Sequence, residues 1–303
     1  MTSTLRPSRT VIMMRRPKKK KLIHETEGSF LTRIFAEYQA SRVRRSVHSY
    51  PGKLFEVDGL DKSGKGTSLD AIREYLEGKG ARIFMTSNYE RQYNEYPPKH
   101  AWQDYDVIMV DEPSFCLTGS EIRNVIINIH NSPWFHTLST ARYYARDRNQ
   151  QNKIIVIPAL KAGKVVVQGR GVSTSLVYQP TQDHFWRQTH TQSPIIHFDT
   201  ITRIPGNAKE LTILPNTLIF TRASADVVMA RIRGDKEDNA RFENLTFQKV
   251  IESIYGSNEF HEFFRTAGVQ VNTCETGESV GQTRENIVHL FTEFLTHHHL
   301  LGH

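Results

Sequence analysis

Cysteine is nearly absent: Cys116 and Cys274 are the two in 303 residues. Two thiols are too few for a disulfide framework, and this pair is too far apart in sequence for a zinc site. The expectation is a fold held by its core in a reducing, cytoplasmic setting. Long apolar runs are missing as well, which argues against a membrane span, and the opening "MTSTLRPSRTVIMMRRPKKKK" has no secretory h-region. There is no internal repeat, and no low-complexity segment beyond the basic run at 15–21. The C-terminal "THHHLLGH" lacks the spaced partners a metal site needs and reads as a frayed end.

The net charge of +7 is unevenly spread. Residues 1–53 hold 13 Lys and Arg against 3 Glu, leaving 26 Lys and Arg against 29 Asp and Glu in the rest of the chain. The basic character therefore belongs to an extension, read as residues 1–50 and partly helical. Its "RRPKKKK" run is first of all a solvated tail; contact with nucleic acid, an anionic membrane or a sorting receptor is the alternative. Phe30, Leu31, Ile34, Phe35 and Tyr38 recur at helical spacing within it, so this part is expected to pack on the domain or on a partner. An organelle transit peptide would be poor in acids, and Glu25, Glu27 and Glu37 argue against one.

The body, residues 51–303, begins with "LFEVDGLDKSGKGTSLDAIREYL". Apolar Leu54, Phe55 and Val57 enter a glycine-rich turn, and Leu69, Ile72 and Leu76 continue at helical spacing up to Gly78 and Gly80. Glycines at 59, 64 and 66 allow successive N–H groups to turn inward around an anion at the positive end of a helix, and Lys65 adds a point charge. The spacing from Gly59 to Lys65 is that of a phosphate-binding loop in the strand–loop–helix setting such a loop requires. Gly66 stands where a Ser or Thr usually follows the Lys, and Thr67 supplies the hydroxyl one position later. This GKGT order resembles adenylate kinase and its relatives.

Further strand candidates lie at 83–85, 107–110, 165–167, 218–220 and 269–271, with helical segments at 121–129, 140–157, 225–232 and 247–264. The alternation implies a three-layer α/β/α fold with a mostly parallel sheet. Ligands in such folds sit beyond the carboxyl ends of the strands. The polar, aromatic stretch at 87–104 reads as an insertion. At strand ends stand Asp61 and Lys62 inside the loop, the Asp111 and Glu112 pair of "DEPSF", and Arg170. Asp61 fits a carboxylate that orients a cation near a transferring phosphoryl group, with a solvated turn acid as the alternative. Asp111 and Glu112 fit a metal-and-water pair of an ATPase or a plain acidic turn. Arg170 fits a second phosphate. Arg142, Arg146 and Arg148 share one helix with Tyr143 and Tyr144, whose rings are flat enough to stack on a base; by periodicity alone a salt-bridged surface helix with two core tyrosines fits slightly better.

Six segments, in order across most of residues 54–290, resemble the thymidylate kinase family: "FEVDGLDKSGKGT", "EPSFCLTGSEIR", "YYARDR", "GKVVVQGRGVSTSLVYQ", "PNTLIFTRASADVVMARIR" and "RFENLTFQKVIESIY". The resemblance implies a P-loop kinase fold with a small lid at about 233–247, and a nucleoside monophosphate kinase that moves the γ-phosphoryl of ATP to dTMP. It implies that Gly59, Ser63, Gly64, Lys65, Gly66, Thr67 and Ser68 form the ATP site, and that Asp61, Lys62, Lys65 and Arg170 act in catalysis. It places Glu112, Pro113, Tyr144, Arg148, Arg170, Thr174, Ser175, Tyr178 and Gln179 at the acceptor, with Tyr144 stacking on the base and Arg148 hydrogen-bonding it. Arg241 and Glu243 match the lid, Mg²⁺ is the implied metal, and a homodimer is the common family state.

Three departures stand out. Gly169 replaces the family's Mg²⁺-holding Asp, which leaves Thr67, Asp111 or Glu112 for the metal. Asp111 replaces an arginine, and Arg123 is too far along its helix to be an assured substitute. The extension and the 87–104 stretch have no counterpart in short family members. A kinase of another deoxynucleotide or of a deoxynucleoside, a nucleotide-binding regulator with weak or no turnover, and an ATPase remain alternatives.

Overall fold

The computed structural model describes residues 25–127, 137–190, 194–234 and 244–300. Six strands form one parallel sheet: β1 (Lys53–Gly59), β2 (Ile83–Met85), β3 (Val107–Asp111), β4 (Val165–Gly169), β5 (Thr217–Arg222) and β6 (Gln270–Glu275). Their order is β2-β3-β4-β1-β5-β6, with β1 paired to β4 and β5. Helices cover both faces, so the expected three-layer α/β/α architecture is the one observed. All five remaining strand candidates became strands, with β6 starting one residue later than its apolar run suggested. No helix among the described residues is long and apolar enough to cross a membrane.

The alternation of β1 explains both core layers. Phe55 and Val57 point to one face, where they meet Ile72 of the loop helix (Lys65–Gly78) and Phe291 and Phe294 of the C-terminal helix (Val280–His297). Glu56 and Asp58 point to the opposite face and are buried, Glu56 accepting from Ser173 Oγ at 2.8 Å. Burial, with Glu210 and Asp58 close by, pushes the Glu56 carboxyl well above the usual carboxylate range.

The N-terminal helix Glu27–Ala40 starts at Thr26, whose hydroxyl caps Ser29 N–H. Its Phe30, Ile34 and Tyr38 are fully buried in the main core, and Tyr38 OH donates to Leu176 O at 3.1 Å. It packs on the domain, one of the two settings its spacing allowed. The stretch at 87–104 is folded too. It forms helices Thr86–Tyr93 and Lys99–Trp102, and buries Glu90, Tyr96 and Trp102.

Several helical readings change in extent. The one at 121–129 starts earlier, as Leu117–Glu121, and continues as a π-type turn at Ile122–Ile126, with 128–129 outside the described residues. The helix expected over 140–157 runs Thr137–Gln151, continues through a wider π-type turn at Asn152–Val156, and ends as Ile157–Lys161. The segment expected as one helix over 247–264 is two, Leu245–Tyr255 and Asn258–Arg265. Ser257 caps the second by accepting from Phe260 N–H, which restarts the helix after Gly256.

Candidate active site

A cavity of about 1050 Å³ opens beyond the carboxyl ends of the strands. One wall is the loop after β1. Gly59 and Gly64 have φ of +142° and +101°, and a Cβ at Gly59 would stand 2.4 Å from Thr221 Oγ1. Side-chain bonds hold the turn from behind: Ser63 Oγ meets Thr221 Oγ1 at 2.5 Å, Thr276 Oγ1 donates to Ser63 O at 2.5 Å, and Ser68 Oγ donates to Gly64 O. Ser63 and Ser68 thus shape the loop through their side chains, while Gly64, Lys65, Gly66 and Thr67 line the cavity. Lys65 Nζ donates to the carbonyls of Gly59 and Leu60. Burial pushes its ammonium down to about 7, helped by Arg170 and opposed by Asp61 and Asp58.

The opposite wall carries the second set of expected residues. Arg170 follows β4 in a left-handed backbone conformation (φ +68°), uncommon for a non-glycine residue. Its Nη2 contacts Asp61 Oδ1 at 2.5 Å. Burial opposes charge on both groups, but their mutual attraction prevails and keeps Asp61 below, and Arg170 above, their ordinary values. Tyr178 OH accepts from Asp61 N–H at 3.0 Å, and Thr174 Oγ1 donates to Asp58 at 2.8 Å. Pro113, Tyr144, Thr174, Tyr178 and Gln179 line the same cavity as the phosphate loop.

Arg148, Glu112 and Ser175 were expected at the acceptor, yet they are not among the lining residues. The Arg148 guanidinium is only 1% exposed and fully engaged. It pairs with Glu112 at 2.8 Å and Glu210 at 2.9 Å, and donates to Asn207 Oδ1 at 2.6 Å, Gly171 O at 2.9 Å and Ser175 Oγ at 3.1 Å. Burial pushes Glu112 well above the usual carboxylate range against the pull of Arg148. This cluster buttresses the cavity wall. Arg241 and Glu243, expected in the lid, lie outside the described residues.

Among the lining residues that sequence reasoning did not place at the site are Arg123, Arg231 and Thr276. Arg123, set aside as too distant, reaches back: its Nε donates to Pro113 O and Ser114 O, each at 3.1 Å, with the guanidinium carbon 3.7 Å from the Phe115 ring centroid. Arg231 donates to Lys62 O at 3.0 Å and Thr276 O at 2.6 Å, tying the helix Ala225–Gly234 to the loop. Thr276 directly follows β6, so the rule about carboxyl ends of strands contained the signal for it.

The departure at Gly169 has a local counterpart. Gly169 and Asp111 are register partners at the ends of β4 and β3. A Cβ at 169 would lie 2.7 Å from Leu69 Cδ1 and 3.2 Å from Asp111 Oδ1. The Asp111 carboxylate therefore occupies the space beside position 169. Burial pushes it up, against the pull of Arg123 and Arg91. Among the described residues there is no group of three or more His, Cys, Asp or Glu side chains that could hold a metal ion. The Thr67 hydroxyl and the Asp111 carboxylate are hard oxygen donors, which suit Mg²⁺ bound mostly through water and phosphate oxygens.

The cavity thus brings a glycine-rich loop with its lysine together with the Arg170 guanidinium and the Tyr144 and Tyr178 rings. Comparison with known proteins identifies the family. The thymidylate kinase family model matches residues 99–287. The chain is 27% identical over 240 residues to a thymidylate kinase of Caldicellulosiruptor saccharolyticus, covering 78% of this chain and 96% of that protein. It is 23% identical over 211 residues to a thymidylate kinase of Pelobacter propionicus, covering 67% of this chain and 80% of that protein.

Proposed function

Because the chain belongs to the thymidylate kinase family, we propose that it transfers the γ-phosphoryl group of ATP to dTMP, giving ADP and dTDP. The observation that carries the reading is one cavity lined by both Lys65 and Arg170, with Tyr144 on the acceptor side. The loop amides and Lys65 hold the donor's β- and γ-phosphates. Arg170, fixed by Asp61, holds the acceptor phosphate, and Arg123 supplies the further cation that position 111 lacks. The Tyr144 ring stacks on the base, with Thr174 and Gln179 beside the acceptor nucleoside.

An oxygen of the dTMP phosphate attacks the γ-phosphorus in line. The bond to the β,γ-bridging oxygen breaks, and its electron pair leaves with ADP. The attacking oxygen is already anionic, so catalysis here is positioning and charge neutralisation by Lys62, Lys65 and Arg170. Thr67 and Asp111 are the protein oxygen donors that would hold Mg²⁺, and the ion would supply positive charge to offset that of the transferring phosphates. We also place the protein in the cytoplasm, in keeping with two buried free thiols. Residues 1–24 carry eight Lys and Arg and no acid, a balance suited to nucleic acid; a homodimer is the family-based expectation.

The test is ADP release with ATP and Mg²⁺, run in parallel with dTMP, dUMP, dGMP, thymidine and no acceptor. Release should depend on dTMP and fall by roughly 10²–10³ in Lys65→Ala. Acceptor-independent release would make the protein an ATPase. ATP binding without any release would make it a regulator.

A further inference from the structure

A second cavity, of about 690 Å³, lies toward the other end of the sheet. Its lining residues Tyr50 and Lys161 precede β1 and β4, whose carboxyl ends lead into the phosphate loop and Arg170. Lys99, Lys153, Lys161 and Lys209 surround it, and its lining includes no carboxylate. Among the described residues, none of these four lysines is in an ion pair. Four exposed lysines border one hollow, Lys161 Nζ lying 5.6 Å from the Tyr50 ring centroid, and an anion bearing several charges is the ligand that matches this concentration of positive charge. Asn149 and the buried Asn152 add amide groups. The volume falls in the range of about 300–1,000 Å³ usual for small-molecule sites.

We propose that this cavity binds a small polyphosphate anion, free or as the phosphate chain of a nucleotide, and that the binding is transmitted to the acceptor side. The route is short. Asn152 Nδ2 donates to Glu210 Oε2 at 3.1 Å. Glu210 in turn pairs with Arg148 and accepts from Val172 N–H at 2.7 Å. Val172 opens the helix Val172–Thr189, which carries Thr174, Tyr178 and Gln179. A ligand that draws the Asn152 amide toward the lysines withdraws a donor from Glu210 and loosens the start of that helix. The binding stands independently of the kinase reading; its effect on the acceptor rests on that reading.

Calorimetric titration of inorganic triphosphate into the full-length protein tests the site. Two equivalents should bind, one lost in Lys65→Ala and the other weakened at least tenfold in the Lys153→Glu, Lys161→Glu double variant. Those two lysines are exposed, so their reversal spares the core. Triphosphate binding that the double variant leaves unchanged would overturn the proposal. Repeating the titration with ATP and dTTP separates the sources: tighter binding than triphosphate identifies a nucleotide, and equal binding the phosphate chain alone. In acceptor-dependent turnover at saturating ATP, triphosphate should raise the acceptor KM at least threefold in the wild type and not in the double variant. An unmoved KM overturns the transmission while calorimetry still decides the site. Absence of turnover with every acceptor refutes the kinase reading and leaves the calorimetric result standing.

Discussion

At position 148 the chain spends a guanidinium on its own interior. Removing it would leave Glu112 and Glu210 facing each other across a buried space without their shared cation, a situation that costs about 3–5 kcal/mol. Both carboxyls already sit above their ordinary pKa through burial, opposed by Arg148. A group with a raised folded-state pKa favours the fold fully below its unfolded value, and that advantage is lost as pH climbs through the folded value. Arg148→Ala should therefore lose several kcal/mol at pH 8, and distinctly less at pH 5, where the carboxyls take up protons. Urea unfolding at the two pH values measures this; a pH-independent loss, or impaired acceptor binding without loss of stability, would return Arg148 to direct ligand contact. The helix spacing that drew attention to Arg148 could not reveal this setting. Glu112 and Glu210 lie 36 and 62 residues away in opposite directions, and only the folded chain brings them together. That Lys65 and Arg170 would lie at the cavity was legible because loop spacing and position after a strand are local signals; Tyr144 was singled out by its place on an arginine-bearing helix.

Among the elements, strands were the most readable, since a parallel sheet buried on both faces demands near-continuous apolar runs. Breaks were the least readable: nothing in the periodicity of 247–264 distinguishes the Gly256–Ser257 restart from a continuous helix. The stretch at 87–104 read as an insertion because it is polar and aromatic and lies between two strand candidates, and its buried members are themselves polar or aromatic. Tyr96 and Trp102 are covered, and Glu90 accepts from Phe115 N–H at 2.8 Å. The N-terminal helix is the clearest case of pattern becoming packing. Phe30, Ile34 and Tyr38 fall four apart, and Phe30 stacks on His184 at 4.6 Å. We therefore propose that the folding unit begins near residue 25 and not at 51. Ile34→Ala should cost about 2–5 kcal/mol in urea unfolding. A chain starting at residue 25 should match the full-length midpoint, and one starting at 51 should not fold stably. Equal stability of the 25 and 51 starts would show the helix to be an appendage.

For the molecule as a whole, charge is organised against the average. The chain from residue 54 onward is net acidic, with 26 Lys and Arg against 29 Asp and Glu. Its main cavity nevertheless gathers Lys62, Lys65, Arg123, Arg170 and Arg231 against Asp61 and Glu278. A positive hollow in an acidic body draws anions to the site in preference to the acidic surface around it. It also sets two anions side by side, where they repel unless further positive charge accompanies them. A ligand that binds only the folded state at 100 times its Kd adds about 2.7 kcal/mol. At roughly 2–4 °C per kcal/mol for a chain of this size class, dTMP alone or ADP alone should raise the melting temperature by about 5–10 °C. With Mg²⁺ present, the two shifts should add. Without it, their sum should fall short, because the acceptor phosphate then meets an unscreened diphosphate across the cavity. Scanning fluorimetry of the four combinations measures this directly. Full additivity in the absence of Mg²⁺ would mean that Lys62, Lys65 and the arginines suffice to separate the two charges, or that the two ligands occupy different cavities; Arg170→Ala distinguishes these, since it removes the cation placed at the acceptor phosphate and should abolish the dTMP shift only if both share this one.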